Sequence, residues 1–475
     1  MELFCPIVIL SVLASSEAVG FHGFHFKGLE EPSWLGSRTI TEKWIEQTLD
    51  HFNHRDDRTW NMRYYEEDRY FNGTGPILVF LGGEWEISPG YLNSGLMYEI
   101  GKQHGALMFY TEHRYYGKSE PTKNLSSANM QYLSVDQALA DVAYFVKEKK
   151  AEREAEDAKV VVFGGSYSGN MAAWMRIKYP HLIQGAVASS APVYAKADFY
   201  EYYETVTEAL KRHGDECVAS VKVAIEQTEE MLASQAGAEM IQILFNLCSA
   251  VNVTSRNEVS YFMNYVAEKF AGAVQYNKGG VGRNSTIGGL CATMADKKIG
   301  APVKRLATLF KKESCTKDAD YSNFLETMRS EKFEPSEATR QWFFQTCTEY
   351  GYYQTTNSSR SVFGTLFELD FFVDLCQNLY GEYYDKNLLE YGVSRTNIQY
   401  GGRLPDVTNV IFTNGDVDPW HRLSVLEDLN ESSPAILISG TSHCEDLKSS
   451  KSARTSPELE GARKRVNKLV STWLI

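Results

Sequence analysis

Neither of the spacings that would announce a zinc site occurs in this chain, which has no Cys-x-x-Cys pair and no His-Glu-x-x-His. A structural or catalytic metal is therefore not expected. No cofactor is implied either, because the glycine-rich turn at Gly164–Gly169 is not followed by the lysine of a phosphate-cradling loop. Blocks of five or six like charges are missing and the formal net charge is −13, which argues against a nucleic-acid partner. After the N-terminal residues no run approaches 18 consecutive apolar positions, so no membrane span is expected in the mature chain. Cysteine is sparse, with eight in 475 residues, and unevenly spread: Cys217, Cys248, Cys291, Cys315, Cys347 and Cys376 lie in one region, while Cys5 and Cys444 stand apart.

What is present points to export. An apolar run from Leu3 to Leu13 followed by Ala14, Ser15, Ser16 and Ala18 reads as a secretory signal over residues 1–18, although its start lacks Lys or Arg. Six N-x-[ST] sequons, at Asn72, Asn124, Asn252, Asn284, Asn357 and Asn430, suit a glycosylated chain. Six clustered cysteines in an exported protein suggest three disulfides, with fifteen pairings open. A secreted or lysosomal/endosomal location follows. At 43% apolar residues the chain can bury a sizeable core, and 28 tyrosines suit pockets for peptides or sugars.

The chemistry centres on KVVVFGGSYSGN at Lys159–Asn170. Val160 to Phe163 have strand propensity, and Met171, Ala172, Ala173, Trp174 and Ile177 mark a helix, so Ser166 lies on a tight strand-to-helix turn. Such a turn holds a serine in a strained conformation with its hydroxyl outward, which makes Ser166 the candidate nucleophile and the Tyr167 amide an oxyanion donor. The second glycine of the usual elbow is replaced by Ser168.

Around that turn the chain alternates strands and helices. Residues 21–60 show no clear period and read as a lead-in; 61–70 is an edge strand, while 76–81, 106–110 and 185–192 are buried strands. The loop Gly82-Gly83-Glu84-Trp85-Glu86 can supply the second oxyanion donor, assigned to Gly83. Glu84 and Glu86 could hold an amine, or one of them could pair with Arg114. His113 precedes Ser166, and the elbow architecture places its histidine last, so His113 is read as structural.

From about Lys196 the texture changes to long helical patterns rich in Glu, Lys and Ala, and the six clustered cysteines lie there. The expected organisation is an α/β-hydrolase sheet domain in two parts, 19–195 and 395–475, with a large, mainly helical, disulfide-bonded cap domain inserted at 196–394 and roofing the site. In the second part, strands at 407–413 and 435–439 end in NGDVDPW and GTSHC. An acid and then a histidine downstream of the serine is the order of an α/β-hydrolase triad, Ser166, Asp418 and His443. Asp416 is the rival acid, and Asp418 is preferred because Pro419 stiffens its loop. Cys444 reads as a free buried thiol. Residues 456–475 form an amphipathic helix.

Five segments in register, GGSYSGNMAAW, EHRYYGKS, LGGEWE, NGDVDPW and SGTSHC, resemble the S28 serine peptidases, the family of prolylcarboxypeptidase, dipeptidyl peptidase 2 and thymus-specific serine protease. CTEYGYYQT at Cys347–Thr355 and the His443-Cys444 pair resemble the thymus-specific branch most. The resemblance covers nearly the whole mature chain. It implies a serine exopeptidase of short peptides with Ser166, Asp418 and His443 as its triad, and leaves open both a requirement for proline and which chain end is cleaved, as in a prolyl carboxypeptidase or a dipeptidyl aminopeptidase. It also implies disulfides Cys217–Cys291, Cys248–Cys315 and Cys347–Cys376. Where many members write GNEG this chain has GGEWE, so Trp85 would add bulk beside substrate, with Glu84, Glu86 and Trp420 as further substrate contacts. The same triad would serve an esterase or lipase, and a binding domain that has lost catalysis is the alternative outside enzymes. The oligomeric state stays open, a homodimer included.

Overall fold

The computed structural model describes residues 29–32, 40–277, 286–451 and 455–475; the expected signal segment and the Asn284 sequon lie outside them. The chain opens with an antiparallel pair, β1 (Lys43–Thr48) and β2 (Thr59–Glu67), in which Lys43 faces Tyr64. There follow β3 (Ile77–Leu81), α1 (Leu96–His104), β4 (Leu107–Thr111), α2 (Val135–Glu152), β5 (Val160–Gly165), α3 (Tyr167–Lys178) and β6 (Gly185–Ser189). Every residue of β3 to β6 is buried, as continuous apolar runs covered on both faces must be.

A helical insertion comes next: β7 (Lys196–Asp198), α4 (Glu201–Lys211), α5 (Asp215–Leu232), α6 (Gln235–Phe245), α7 (Arg256–Tyr276), α8 (Ile287–Ala295), α9 (Pro302–Thr308), α10 (Tyr321–Met328), α11 (Thr339–Gln345), β8 (Gly351–Tyr353), α12 (Leu369–Tyr380) and α13 (Lys386–Tyr400). The chain then rejoins the sheet through β9 (Val410–Gly415) and β10 (Ala435–Ile438) and ends in α14 (Pro457–Leu474). The strand order β1-β2-β4-β3-β5-β6-β9-β10, parallel from β4 onward, is that of an α/β-hydrolase. Disulfides Cys217–Cys291, Cys248–Cys315 and Cys347–Cys376 staple the cap. Among the described residues no helix is long and apolar enough to cross a membrane.

The strand period distributes the core. Val79, Val160 and Val162 pack with α2 and α3 on one face, whereas Leu78, Phe80, Val161 and Phe163 pack with α1 and α14 on the other. Burying each such side chain stabilises the sheet by about 1.5–3 kcal/mol.

Three expectations need correction. The stretch read as an aperiodic lead-in contains β1, which is the edge strand; its outward Trp44 is 45% exposed and hides the alternation. The strand at 61–70 is consequently internal, paired with both β1 and β4. The expected cap boundary at 394 falls inside α13, which continues to Tyr400.

Candidate active site

The sheet register brings the sequence-selected loops to one edge. Phe80 of β3 lies opposite Phe163 of β5, so Gly83 and Ser166 each follow three residues beyond a paired position. Ser189 pairs with Gly165 on one side and Thr413 on the other, and Ile438 pairs with Gly415. The loops bearing Gly83–Glu86, Ser166, Asp416–Trp420 and Gly440–Cys444 therefore all leave the carboxyl ends of parallel strands, where α/β sheets hold their ligands.

Ser166 sits at φ 60°, ψ −131°, a conformation that costs about 1–3 kcal/mol in a residue other than glycine. The surroundings enforce it. A Cβ at Gly164 would overlap the Ser168 carbonyl, and one at Gly169 would come within 2.8 Å of the Ser189 carbonyl oxygen. Gly169 thus provides the close approach to β6, and Ser168 closes the turn differently: its hydroxyl accepts from the Gly165 N–H and donates to the Gly165 carbonyl, both at 3.0 Å. The Ser166 N–H donates to the Ser189 carbonyl at 2.9 Å. Tyr167 is the first residue of α3, where an amide has no intrahelical acceptor.

The Tyr167 hydroxyl anchors that first turn from behind. His113 Nδ1 lies 2.6 Å from the Arg114 carbonyl and therefore carries the proton, so Nε2 accepts from Tyr167 at 3.0 Å. Gln345 Nε2 donates to the same hydroxyl at 3.0 Å and to Glu349 at 3.1 Å. Burial pulls the His113 pKa down to about 4, keeping the ring neutral. His113 is part of the scaffold.

Asp418 is fully buried after β9. Its Oδ1 accepts from the Trp420 amide at 3.1 Å and its Oδ2 lies 2.7 Å from His443 Nδ1, while its carbonyl accepts from His421 Nδ1 at 2.6 Å. The rival Asp416 faces elsewhere: it is partly exposed, pairs with Arg212 at 3.1 Å and accepts from the Gly440 amide at 2.7 Å. Burial alone would lower the proton affinity of His443; the Asp418 carboxylate outweighs it and holds the ring well above its ordinary value. His443 Nε2, the nitrogen a serine proton would reach, has no hydrogen-bond partner among the described residues.

The His443-Cys444 turn and the elbow nevertheless rest on the same peptide. The Cys444 Sγ lies 3.8 Å from the Ser189 carbonyl that also receives the Ser166 N–H, and the Cys444 N–H donates to Ser190 Oγ at 3.0 Å. A Cβ at Gly165 would sit 2.9 Å from that sulfur. Burial raises the Cys444 pKa, so it stays a thiol.

The remaining loop residues divide. Glu84 is buried, and its Oε2 has no partner among the described residues. Burial raises its pKa to about 7, offset in part by its own amide and by the charge on His443. Trp85 is buried: its ring packs on Gly83 and its indole N–H donates to Tyr110 at 2.8 Å within the core beneath the sheet. Trp420 is buried too, donating from Nε1 to Gln275 at 3.0 Å and packing edge-on against Tyr202 and Tyr352. Glu86 is half-buried and lies 3.4 Å from Arg63, not Arg114, which is held by Asp141 at 2.7 Å. Of the described sequons, Asn72, Asn252, Asn357 and Asn430 are exposed and Asn124 is half-buried.

Sequence reasoning passed over Gln275, Gln345 and Glu349. All three belong to the insertion and reach the site only through tertiary contacts, so no local motif could have flagged them.

Comparison with known proteins gives an independent finding. The family model for serine carboxypeptidase S28 matches residues 47–466. Thymus-specific serine protease is 34% identical over 447 residues in Homo sapiens, covering 91% of this chain and 86% of that protein. The Mus musculus protein of that name is 33% identical over 448 residues, covering 91% and 87%. Lysosomal Pro-X carboxypeptidase of Mus musculus is 26% identical over 449 residues, covering 89% and 87%.

Proposed function

The chain belongs to the serine carboxypeptidase S28 family and is a serine peptidase, and from that premise we propose that it is an exopeptidase of short peptides using Ser166, His443 and Asp418. The observation that carries the assignment is the buried 2.7 Å Asp418–His443 pair, with Nε2 unbonded among the described residues, on the sheet edge that also bears the strained Ser166.

Neutral His443 takes the Ser166 proton at Nε2 as Oγ attacks the scissile carbonyl carbon. The oxyanion is held by the Tyr167 and Gly83 amides. Collapse breaks the C–N bond, the leaving amine takes the proton from Nε2, and an acyl-serine remains. Water, deprotonated by the same nitrogen, attacks the ester; the acid product leaves and the proton returns to Ser166. Asp418 fixes the imidazole tautomer throughout.

Glu84 can serve either end of a peptide. Ionised, it receives a terminal ammonium; protonated, it donates to a terminal carboxylate. Cleavage next to proline is the specificity suggested by the Pro-X relative. Three disulfides suit a secreted or lysosomal setting.

A fluorophosphonate probe is expected to label Ser166, and a mixed peptide library to be trimmed from one end. N-acetylating and C-amidating the best peptide then identifies the end. Folded protein left unlabelled at Ser166 would overturn the assignment of the nucleophile, and a library left untrimmed at either end would overturn the exopeptidase reading.

A further inference from the structure

The last turn of α7 in the cap ends against the loops that carry the acid and the base. A helix leaves its final carbonyls without intrahelical donors. Here the Asn277 amide takes Ala273, the Ser442 hydroxyl donates to the Val274 carbonyl at 3.1 Å, and the His443 N–H donates to the Gln275 carbonyl at 2.9 Å. Two of these C-terminal carbonyls thus accept from the chain segment that bears the proposed base.

The Gln275 side chain reaches the other loop. Its Oε1 accepts from the Tyr202 hydroxyl at 2.7 Å and from the Trp420 indole N–H at 3.0 Å, in surroundings where all three side chains are buried. Trp420 in turn gives its amide to Asp418 Oδ1 at 3.1 Å. Single bonds to one side chain are common, but here the main chain of one residue grips the histidine loop while its side chain grips the aspartate loop. On the triad reading proposed above, we infer that Gln275 is a positioning residue for catalysis, setting the separation and alignment of Asp418 and His443 from within the cap.

Among the described residues, titratable groups reach the His443 ring from several elements: Asp418 from the loop after β9, Glu84 from the loop after β3, Tyr276 edge-on from α7 at 6.1 Å between ring centroids, and the neighbouring Cys444. Of these, Asp418 is aligned through the Gln275–Trp420 bond, and Tyr276 is itself hydrogen-bonded to the Gln275 side chain. If that alignment loosens, the imidazole loses part of its carboxylate partner and becomes easier to deprotonate.

The test is the second-order rate of fluorophosphonate labelling at Ser166 in the full-length protein, measured across pH. Gln275→Met keeps the volume but removes the acceptor; Gln275→Glu keeps an acceptor oxygen for both donors. The expected result is a fall of about 10- to 100-fold for Gln275→Met, the scale of a small misplacement of catalytic groups, with the acid limb displaced to lower pH. Gln275→Glu is expected to recover most of the rate with its limb at or above the wild-type position. Wild-type rate and limb in folded Gln275→Met would overturn the inference, as would equal losses in both variants with the limb unmoved, which is the signature of a structural role alone. Should Gln275→Met fail to fold, Tyr202→Phe removes one donor: a limb displaced downward supports the inference and an unmoved one overturns it. Absence of Ser166 labelling in the wild type would overturn the triad reading itself, and this inference with it.

Discussion

Replacing Asp418 by asparagine tests the proposed triad most sharply, because the two carboxylate oxygens have different partners. Oδ1 accepts from the Trp420 amide and Oδ2 faces His443 Nδ1. An asparagine that keeps its oxygen on Trp420 must turn its NH2 toward Nδ1, so that nitrogen becomes an acceptor and the ring proton moves to Nε2. A protonated Nε2 cannot take the serine proton. In a Ser-His-Asp site that tautomer change costs about 10⁴ in turnover, or about 5–6 kcal/mol of transition-state stabilisation. The opposite amide orientation instead sets two donors against each other, at about 1–3 kcal/mol. Asp416→Asn is the control: its pair with Arg212 is partly exposed, worth about 0–1 kcal/mol, and an amide oxygen can still accept from Gly440. Labelling rate and peptide turnover are the assays, with circular dichroism to verify folding. Because only neutral His443 acts as a base and Asp418 raises its proton affinity, the wild-type rate should climb with pH through a midpoint above 6.5. That midpoint should fall in Asp418→Asn. The assignment is refuted if Asp418→Asn keeps a tenth or more of wild-type turnover, or if Asp416→Asn loses more.

Glu84→Gln should be stabilising at neutral pH. The carboxyl titrates near 4.5 in the unfolded chain and near 7 in the fold, so its favourable contribution is complete below 4.5 and lost as pH rises through 7, at most about 3 kcal/mol. Thermal midpoints at pH 5 and pH 8 check this, and an equal difference between variant and wild type at both would contradict it. Ser168→Ala removes two hydrogen bonds to the Gly165 peptide and should cost about 1–3 kcal/mol, read as a lower denaturation midpoint; an unchanged midpoint would mean that the hydroxyl does not brace the elbow. Paired Cys248→Ser and Cys315→Ser substitutions open a loop with a sequence separation of 67 and should cost about 4 kcal/mol, measured by differential scanning calorimetry; no loss would argue against that bridge.

What could be read from the chain alone was whatever is local. The elbow is legible because Gly164 and Gly169 are demanded by backbone contacts within a few residues of Ser166 and by the neighbouring strand. The buried strands are legible as continuous apolar runs. β1 was not, since a two-stranded margin with one wet face gives a weak alternation. The direction in which a loop side chain points was not legible either. Glu84, Trp85 and Glu86 are consecutive, yet one is buried with no partner for Oε2 among the described residues, one lies in the core and one meets Arg63; which does which depends on Tyr110 and Arg63, distant in sequence. The environments of Asp416 and Asp418 have the same character: Arg212 and Gly440 hold the one and His443 the other, all distant in sequence.

The insertion, expected from the sequence to roof the site, also braces it through its contacts. α4 holds the acid loop through Arg212 to Asp416 and through Thr205 and Glu208 to Arg422, while α7 holds the histidine loop and Trp420. The cap also reaches the elbow from behind through Gln345 and the Tyr167 hydroxyl. All three segments of the proposed triad are therefore braced by residues of the cap. A hydrolase sheet stripped of this insertion would keep Ser166, Asp418 and His443 in sequence but lose the bonds that bring their loops into alignment. On the proposed triad, the staples Cys217–Cys291, which ties α5 to α8, and Cys347–Cys376, which holds the turn that follows Gln345, are expected to bear on alignment as well as on stability.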